Sequence, residues 1–215
     1  MSDPATRAFV AVCILLIGGY LIGLRLNRRA GRGIARWVRE GLAVTGGSAT
    51  IRWLGASGLT VEARDLSPPM AALRATALLL PREITLLWLY YWLRGRPDLL
   101  VLRFQLRAPP RHDIEVVSRG SPFARGALAE IAADHRWATQ PVGRFAVATR
   151  DPDRDTAERI WSLLEPASAG ILQVSIRPGA PHMQIGVAPA HISDAAAFWR
   201  ALVGAARLVT GEAGH

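Results

Sequence analysis

Residues 8 to 24, AFVAVCILLIGGYLIGL, contain no charged side chain and are closed off by Arg7 on one side and Arg25 on the other. A run of this composition reads as a helix that crosses a lipid bilayer. Its seventeen residues at 1.5 Å rise cover about 26 Å, a little less than the roughly 30 Å hydrocarbon core, and flanking arginines that reach toward the headgroups close the gap. A cleaved signal peptide would have a shorter apolar region leading into a small-residue cleavage site. This run leads instead into Arg25, Arg28, Arg29, Arg32, Arg36 and Arg39. The sequence therefore predicts a single transmembrane anchor within residues 1–26.

Orientation follows from charge. Six arginines follow the run within fifteen residues, while only Arg7 and Asp3 precede it. The excess of positive charge places the C-terminal part in the cytoplasm and the short N-terminus outside the cell membrane. The single cysteine, Cys13, falls inside the run, which excludes an internal disulfide and a cysteine-based zinc site in the domain.

The formal charge of +9 is mostly local to this region: residues 1–40 carry seven arginines, Asp3 and Glu40, leaving 19 Arg against 15 acids, or +4, for the rest. The arginines at 25, 28, 29, 32, 36 and 39 are thus expected to form a collar against membrane lipid, each contributing on the order of 1 kcal/mol of attraction to an anionic leaflet. DNA is not expected as a partner on this balance.

Residues 27–41 keep helical spacing at Ile34, Trp37 and Val38, so a basic juxtamembrane helix is expected, continuous with the anchor or broken at Gly31 and Gly33, with Trp37 near the interface. Residues 42–210 form the cytosolic domain and 211–215 a short tail. Strands are expected at 48–54 and 59–65 as a hairpin, then at 98–107, 113–118, 144–150, 170–177 and 182–187; residues 70–80 fit a strand by the spacing of Pro69 and Pro81, with a helix as the alternative because Ala and Leu favour it. Helices are expected at 82–94, 122–135, 154–165 and 192–209. Hairpins are read at Pro109-Pro110 and at Pro178 to Pro181. This order predicts an α+β fold, a sandwich of a mainly antiparallel sheet and helices, rather than a doubly wound parallel one.

The helix over 82–94 is unusual in carrying Trp88, Tyr90, Tyr91 and Trp92 within five residues. It is apolar all round and too short to span a bilayer. Burial in the core is the expectation for such a helix. The alternative is an interfacial or partner-binding surface, because Trp and Tyr suit a boundary that is apolar on one side and wet on the other. On that alternative Trp37, Trp88, Tyr91 and Trp92 are the candidate interface residues.

Patterns that carry chemistry are missing. The histidines at 112, 135, 182, 191 and 215 are never three or four apart and have no cysteine partners, so no metal site is read from them. Asp151, Asp153 and Asp155 open like a calcium loop, but Thr156 stands where glycine is needed and Ser162 where a bidentate glutamate is needed; capping of the following helix accounts for them. Neither a nucleophile elbow nor a phosphate-binding glycine loop occurs. No catalytic residue and no cofactor are expected.

The order of elements resembles the calumin family of single-pass, translocon-associated membrane proteins. The residues that carry it are Ile34-Ala35-Arg36-Trp37 with Arg39-Glu40, Trp53 with Ser57-Gly58, Arg96 with Asp98-Leu99-Leu100, and Pro110 with Asp113-Ile114. The resemblance is that of a compact prokaryotic relative of the family, and it implies a cytosolic domain beside a membrane-insertion channel, with a translocon or insertase subunit as partner. The coiled coil implied in ribosome contact in that family has no counterpart here, so any ribosome contact is expected to be weak. The expected function is that of a non-enzymatic, membrane-anchored accessory factor of membrane-protein insertion; the alternative is a scaffold or small subunit of another membrane complex.

Overall fold

The computed structural model describes residues 3–121, 124–150 and 154–211. Asp151 and Asp153, read above as helix caps, and His215 lie outside the described residues. The first element is one helix, α1 (Pro4–Thr45), that runs without a break through Gly31 and Gly33. It starts at Asp3, whose side chain accepts a bond from the Ala5 N–H, and stops at Gly46 and Gly47, both at positive φ. A glycine inside a helix costs up to about 1 kcal/mol. At Gly31 the missing side chain admits Trp53, whose ring would lie 2.5 Å from a Cβ there. The predicted boundaries at 26 and 41 therefore fall inside one rigid element.

Nine strands follow among the described residues: β1 (Ser48–Trp53), β2 (Gly58–Arg64), β3 (Met70–Leu78), β4 (Leu99–Leu106), β5 (Ile114–Ser118), β6 (Ala138–Val142), β7 (Phe145–Thr149), β8 (Ile171–Ile176) and β9 (Met183–Val187). They make one sheet in the order β1-β2-β3-β4-β9-β8-β5-β7-β6, every pair antiparallel. The other helices are α2 (Thr85–Leu93), α3 (Ala124–Ala133), α4 (Arg154–Leu164) and α5 (Ala195–Thr210). The fold is α+β with an antiparallel sheet, and Pro178 to Pro181 do join the β8–β9 hairpin. Pro109-Pro110 do not make one: β4 already has β3 and β9 as neighbours, and the chain crosses over so that β5 pairs with β7 and β8. Strand β6, missed in the sequence, is a short edge strand containing Pro141, the kind of position where a residue without an N–H is tolerated.

Helices α1, α4 and α5 cover one face of the sheet. Their contribution to the core includes Ile34, Trp37 and Val38 of α1, Ile160, Trp161 and Leu164 of α4, and Phe198, Trp199 and Leu202 of α5. Helix α3 covers the other face only over β5 and β7, through Ala124, Ala127 and Ile131. Strand β5, IEVVS, is buried at every position because both its faces are covered. On β2, β3 and β4 the second face is open, and Glu62, Arg74 and Arg103 stand exposed on it.

Glu115 is the buried carboxylate among the described residues, between sheet and α3. Its Oε1 accepts from Gln173 Nε2 at 2.5 Å, and Arg177 lies 3.5 Å from Oε2 while bridging to Glu130 on α3 at 2.7 Å. Burial pushes the Glu115 carboxyl above the usual glutamate range, and the bonds from Gln173 and Ser175 and the charge of Arg177 only partly offset it.

Two predictions follow from this packing. A Cβ on Gly41 would sit 2.0–2.4 Å from the Trp199 indole, whereas one on Gly33 would meet nothing within 4 Å. Gly41→Ala should lose about 1–3 kcal/mol in denaturant unfolding, and Gly33→Ala should gain up to about 1 kcal/mol; equal effects at the two sites would contradict the packing. For Glu115 the sign is that of a raised acid: the folded domain holds the proton more tightly than the unfolded chain, so ionisation costs stability. That cost is absent below the ordinary glutamate range and grows as pH rises toward the folded-state value. Glu115→Gln should therefore gain melting temperature relative to the parent as pH rises above the ordinary glutamate range of about 4. A difference that is flat with pH would refute it.

Candidate membrane interface

Helix α1 has two opposed faces. Gly19, Gly23, Asn27, Gly31, Ile34, Val38, Gly41 and Thr45, spaced three or four apart, turn toward the rest of the protein. Five of these eight are glycine or threonine, and the backbone and rings of the domain come close because no larger side chain intervenes. On the opposite side Arg25, Arg28, Arg29, Arg32, Arg36 and Arg39 are all exposed and share one stripe. The expected collar is thus a one-sided ladder, about 21 Å long from Arg25 to Arg39 at the rise of a helix.

The N-terminal half of α1 stands clear of the domain. Its most apolar eighteen-residue window is only 6% buried, and its length and composition suffice to cross a membrane. Phe9, Ile14, Leu15, Leu16, Ile17 and Ile22 are all more than 60% exposed.

Helix α2 lies against this half. It contributes no buried residue, with Leu86 80%, Leu93 71% and Trp92 60% exposed, which overturns the expectation that it fills the core. Trp88 and Tyr91 are half-buried. The chain reaches α1 at Gly23, where a Cβ would lie 2.0 Å from the Arg82 carbonyl oxygen, and at Gly19, where it would lie 2.6 Å from Thr85 Oγ1. Thr85 is the first residue of α2.

A polar knot fixes that junction. Asn27, fully buried, donates from Nδ2 to Glu83 Oε2 at 2.6 Å and accepts from Arg82 Nη1 at 3.0 Å. Arg82 also grips Asp98 through two parallel bonds of 3.0 and 2.9 Å, and Asp98 Oδ1 accepts the Leu80 N–H at 2.8 Å. The two-pronged guanidinium–carboxylate pair fixes direction as well as distance. Both ends of the α2 excursion, residue 82 before it and residue 98 after it, are thereby tied together and to α1. At the far end of α2, Arg94 and Arg96 lie over the rings of Tyr90 and Tyr91, 5.0 and 4.8 Å from their centroids.

On another side of α1 the turn between β1 and β2 approaches. Trp53 and Leu54 at its tip are 41% and 51% exposed. A groove of about 610 Å³ separates this turn from Tyr20, Leu24, Arg28 and Arg32 of α1.

Of the candidate interface residues, the structure gathers Trp88, Tyr91 and Trp92 on α2 and removes Trp37. Trp37 is 9% exposed and packs between Phe198 and Trp199, 5.4 and 5.3 Å from their ring centroids, so it is a core residue and cannot meet a partner. Sequence reading missed Asn27, Arg82, Glu83 and Asp98 as a unit, and Arg94, Arg96, Trp53 and Leu54 as neighbours of the apolar end. The one available signal was Asn27 itself, an uncharged polar residue four places after Gly23 and eight after Gly19 on the same helical face.

Among the described residues no three His, Cys, Asp or Glu side chains converge to hold a metal ion. His182 accepts the Leu106 N–H on Nδ1 at 3.0 Å and so has a structural role in the sheet; His191 is exposed. No family model matches the chain, and no curated protein matches it.

Asp98 tests the knot. Asp98→Asn keeps the shape but gives up one acceptor and the charge opposite a side chain only 17% exposed. It should cost on the order of 2 kcal/mol and raise hydrogen exchange across residues 80–97 while leaving β5 and β7 protected. Unchanged exchange in that segment would show that the knot does not hold α2.

Proposed function

We propose that this chain is a single-pass membrane protein, with its N-terminus outside the cell membrane and its domain in the cytoplasm, that acts without catalysis as an accessory factor beside a membrane-protein insertion machine. The observation that carries the membrane reading is the depth of α2. Its first turn packs on Gly19, which at the rise of a helix is about 9 Å inside the apolar stretch, measured from Arg25. In-plane helices settle with their apolar side about 5–10 Å into the headgroup and acyl boundary. An apolar helix with no buried residue is costly in water, and a bilayer at that level removes the cost.

The arginines fit the same placement. One headgroup layer is roughly 5–8 Å deep, which takes in Arg25, Arg28 and Arg29, the last about 6 Å beyond Arg25. Arg36 and Arg39 stand about 16 and 21 Å beyond it, free for an anionic surface on a partner. The six arginines after the span against one before it favour a cytoplasmic domain.

The insertion role is supported by the resemblance to the calumin family and by the exposed aromatic surface of α2 beside the span, where a client helix or a channel subunit can pack. Membrane lipid and a translocon or insertase subunit are the partners on this reading, with ribosome contact weak.

Two measurements separate these claims. Alkaline extraction of membranes should leave the full chain in the pellet, and protease added outside intact cells should spare the domain; release into the wash or digestion of the domain would end the membrane reading. Purification in mild detergent should recover a translocon or insertase subunit, and Leu86→Glu with Trp92→Glu should reduce that recovery several-fold while leaving the chain in the membrane. Consistent recovery of a subunit of some other membrane complex would replace the insertion role with that of a scaffold.

A further inference from the structure

We propose that the groove between α1 and the β1–β2 turn is a binding site for one anionic phospholipid; this deepens the membrane reading above and rests on it. Tyr20, Leu24, Arg28 and Arg32 line one wall at intervals of four residues, which makes them a single row about 18 Å long along the helix. The row changes character part-way: an aromatic and an aliphatic residue come first, inside the apolar stretch, and two cations follow it. A phospholipid standing in a leaflet has the same sequence of chemistry over the same direction, acyl chain and then phosphate.

The second wall is built to stay open. Trp53 stands over Gly31, where a Cβ would meet ring atoms Cη2 and Cζ3 at 2.5 and 2.9 Å, so the ring is seated between the turns that carry Arg28 and Arg32. The turn beyond it bends at Gly55, at φ +71°, with open space where a side chain would be. At about 610 Å³ the groove is within the roughly 300–1,000 Å³ range of small-molecule sites. The Trp53 indole is partly exposed, so its face closes the groove beside the two cations without filling it.

Charge selects the occupant. Among the described residues no acidic side chain pairs with Arg28 or Arg32. Helical side chains leave the backbone tilted toward the N-terminus, here toward the apolar end, so both guanidiniums are carried back toward the headgroup layer. Two planar cations one turn apart can bracket one phosphate with charge-assisted bonds. A zwitterionic lipid brings its own ammonium to the same place and loses most of the advantage.

The test is native mass spectrometry of the full chain released from detergent with phosphatidylglycerol, phosphatidylcholine or inorganic phosphate added. The wild type should retain one phosphatidylglycerol with at least tenfold preference over phosphatidylcholine, and inorganic phosphate at equal concentration should not displace it. Arg28→Gln with Arg32→Gln should abolish that preference, Trp53→Ala should weaken retention several-fold, and Arg36→Gln with Arg39→Gln, which removes the same charge from the same stripe outside the groove, should leave retention unchanged. Equal loss in the two double variants would reduce the effect to diffuse attraction and overturn the site, as would displacement by inorganic phosphate or retention in Arg28→Gln with Arg32→Gln. All variants keep the apolar stretch, so failure here with the chain still resistant to alkaline extraction rejects the lipid site alone, whereas extraction of the wild type rejects the membrane reading first.

Discussion

Helix α1 runs for 42 residues without a break in its hydrogen bonding, from a bare apolar half into the domain, and the rest of the molecule depends on that continuity. The same element that is bare and apolar at Phe9 and Ile17 carries Ile34, Trp37 and Val38 into the core of the domain. No linker separates the two roles. Whatever holds the first half of α1 therefore sets the height and the facing of the sheet, and the domain is oriented like a flag on a pole rather than tethered by a cord.

What lets the domain lie so close to the helix is the absence of side chains along one line of it. Gly23 admits the backbone at Arg82, Gly31 admits Trp53 and Gly41 admits the Trp199 indole. Each glycine weakens the helix slightly and each returns a contact between large surfaces, which is where dispersion and burial accumulate. The polar knot at Asn27, Arg82, Glu83 and Asp98 adds direction to this contact. Apolar packing alone tolerates sliding and rotation, whereas paired donors and acceptors at 2.6–3.0 Å do not. Helix α2 is consequently held at a defined level against α1 although almost nothing covers it.

The proposals on membrane association, partner and lipid share this geometry. The lower arginines, the aromatic helix and the β1–β2 turn come from three separated stretches of the sequence and converge at one end of the molecule around α1. The other end, where α3 closes over β5 and the Glu115–Arg177–Glu130 chain, is a conventional domain interior with its charges paired.

Much of this was legible without a structure. The apolar run, the arginines after it, the β1–β2 hairpin and the β8–β9 hairpin are local patterns in which neighbouring residues decide the outcome, and their positions in the sequence match the elements observed to within a few residues. Strand β6 and the β4–β5 crossover were not legible, because an edge strand has weak patterning and a strand's partner is chosen by distant residues competing for the same edge. The fate of the two aromatic clusters was decided only by tertiary structure. Trp37 sits in a basic stretch that reads as lying near the membrane interface, yet it is buried because α5 brings Phe198 and Trp199 to it; Trp92 sits in a stretch that reads as core, yet it is bare because the knot at Arg82 and Asp98 holds α2 outside the sheet. Hydrophobicity determines which residues must leave water, and it is fixed residue by residue in the sequence. Which surface receives them depends on contacts between segments more than fifty residues apart, and those exist only once the chain has folded.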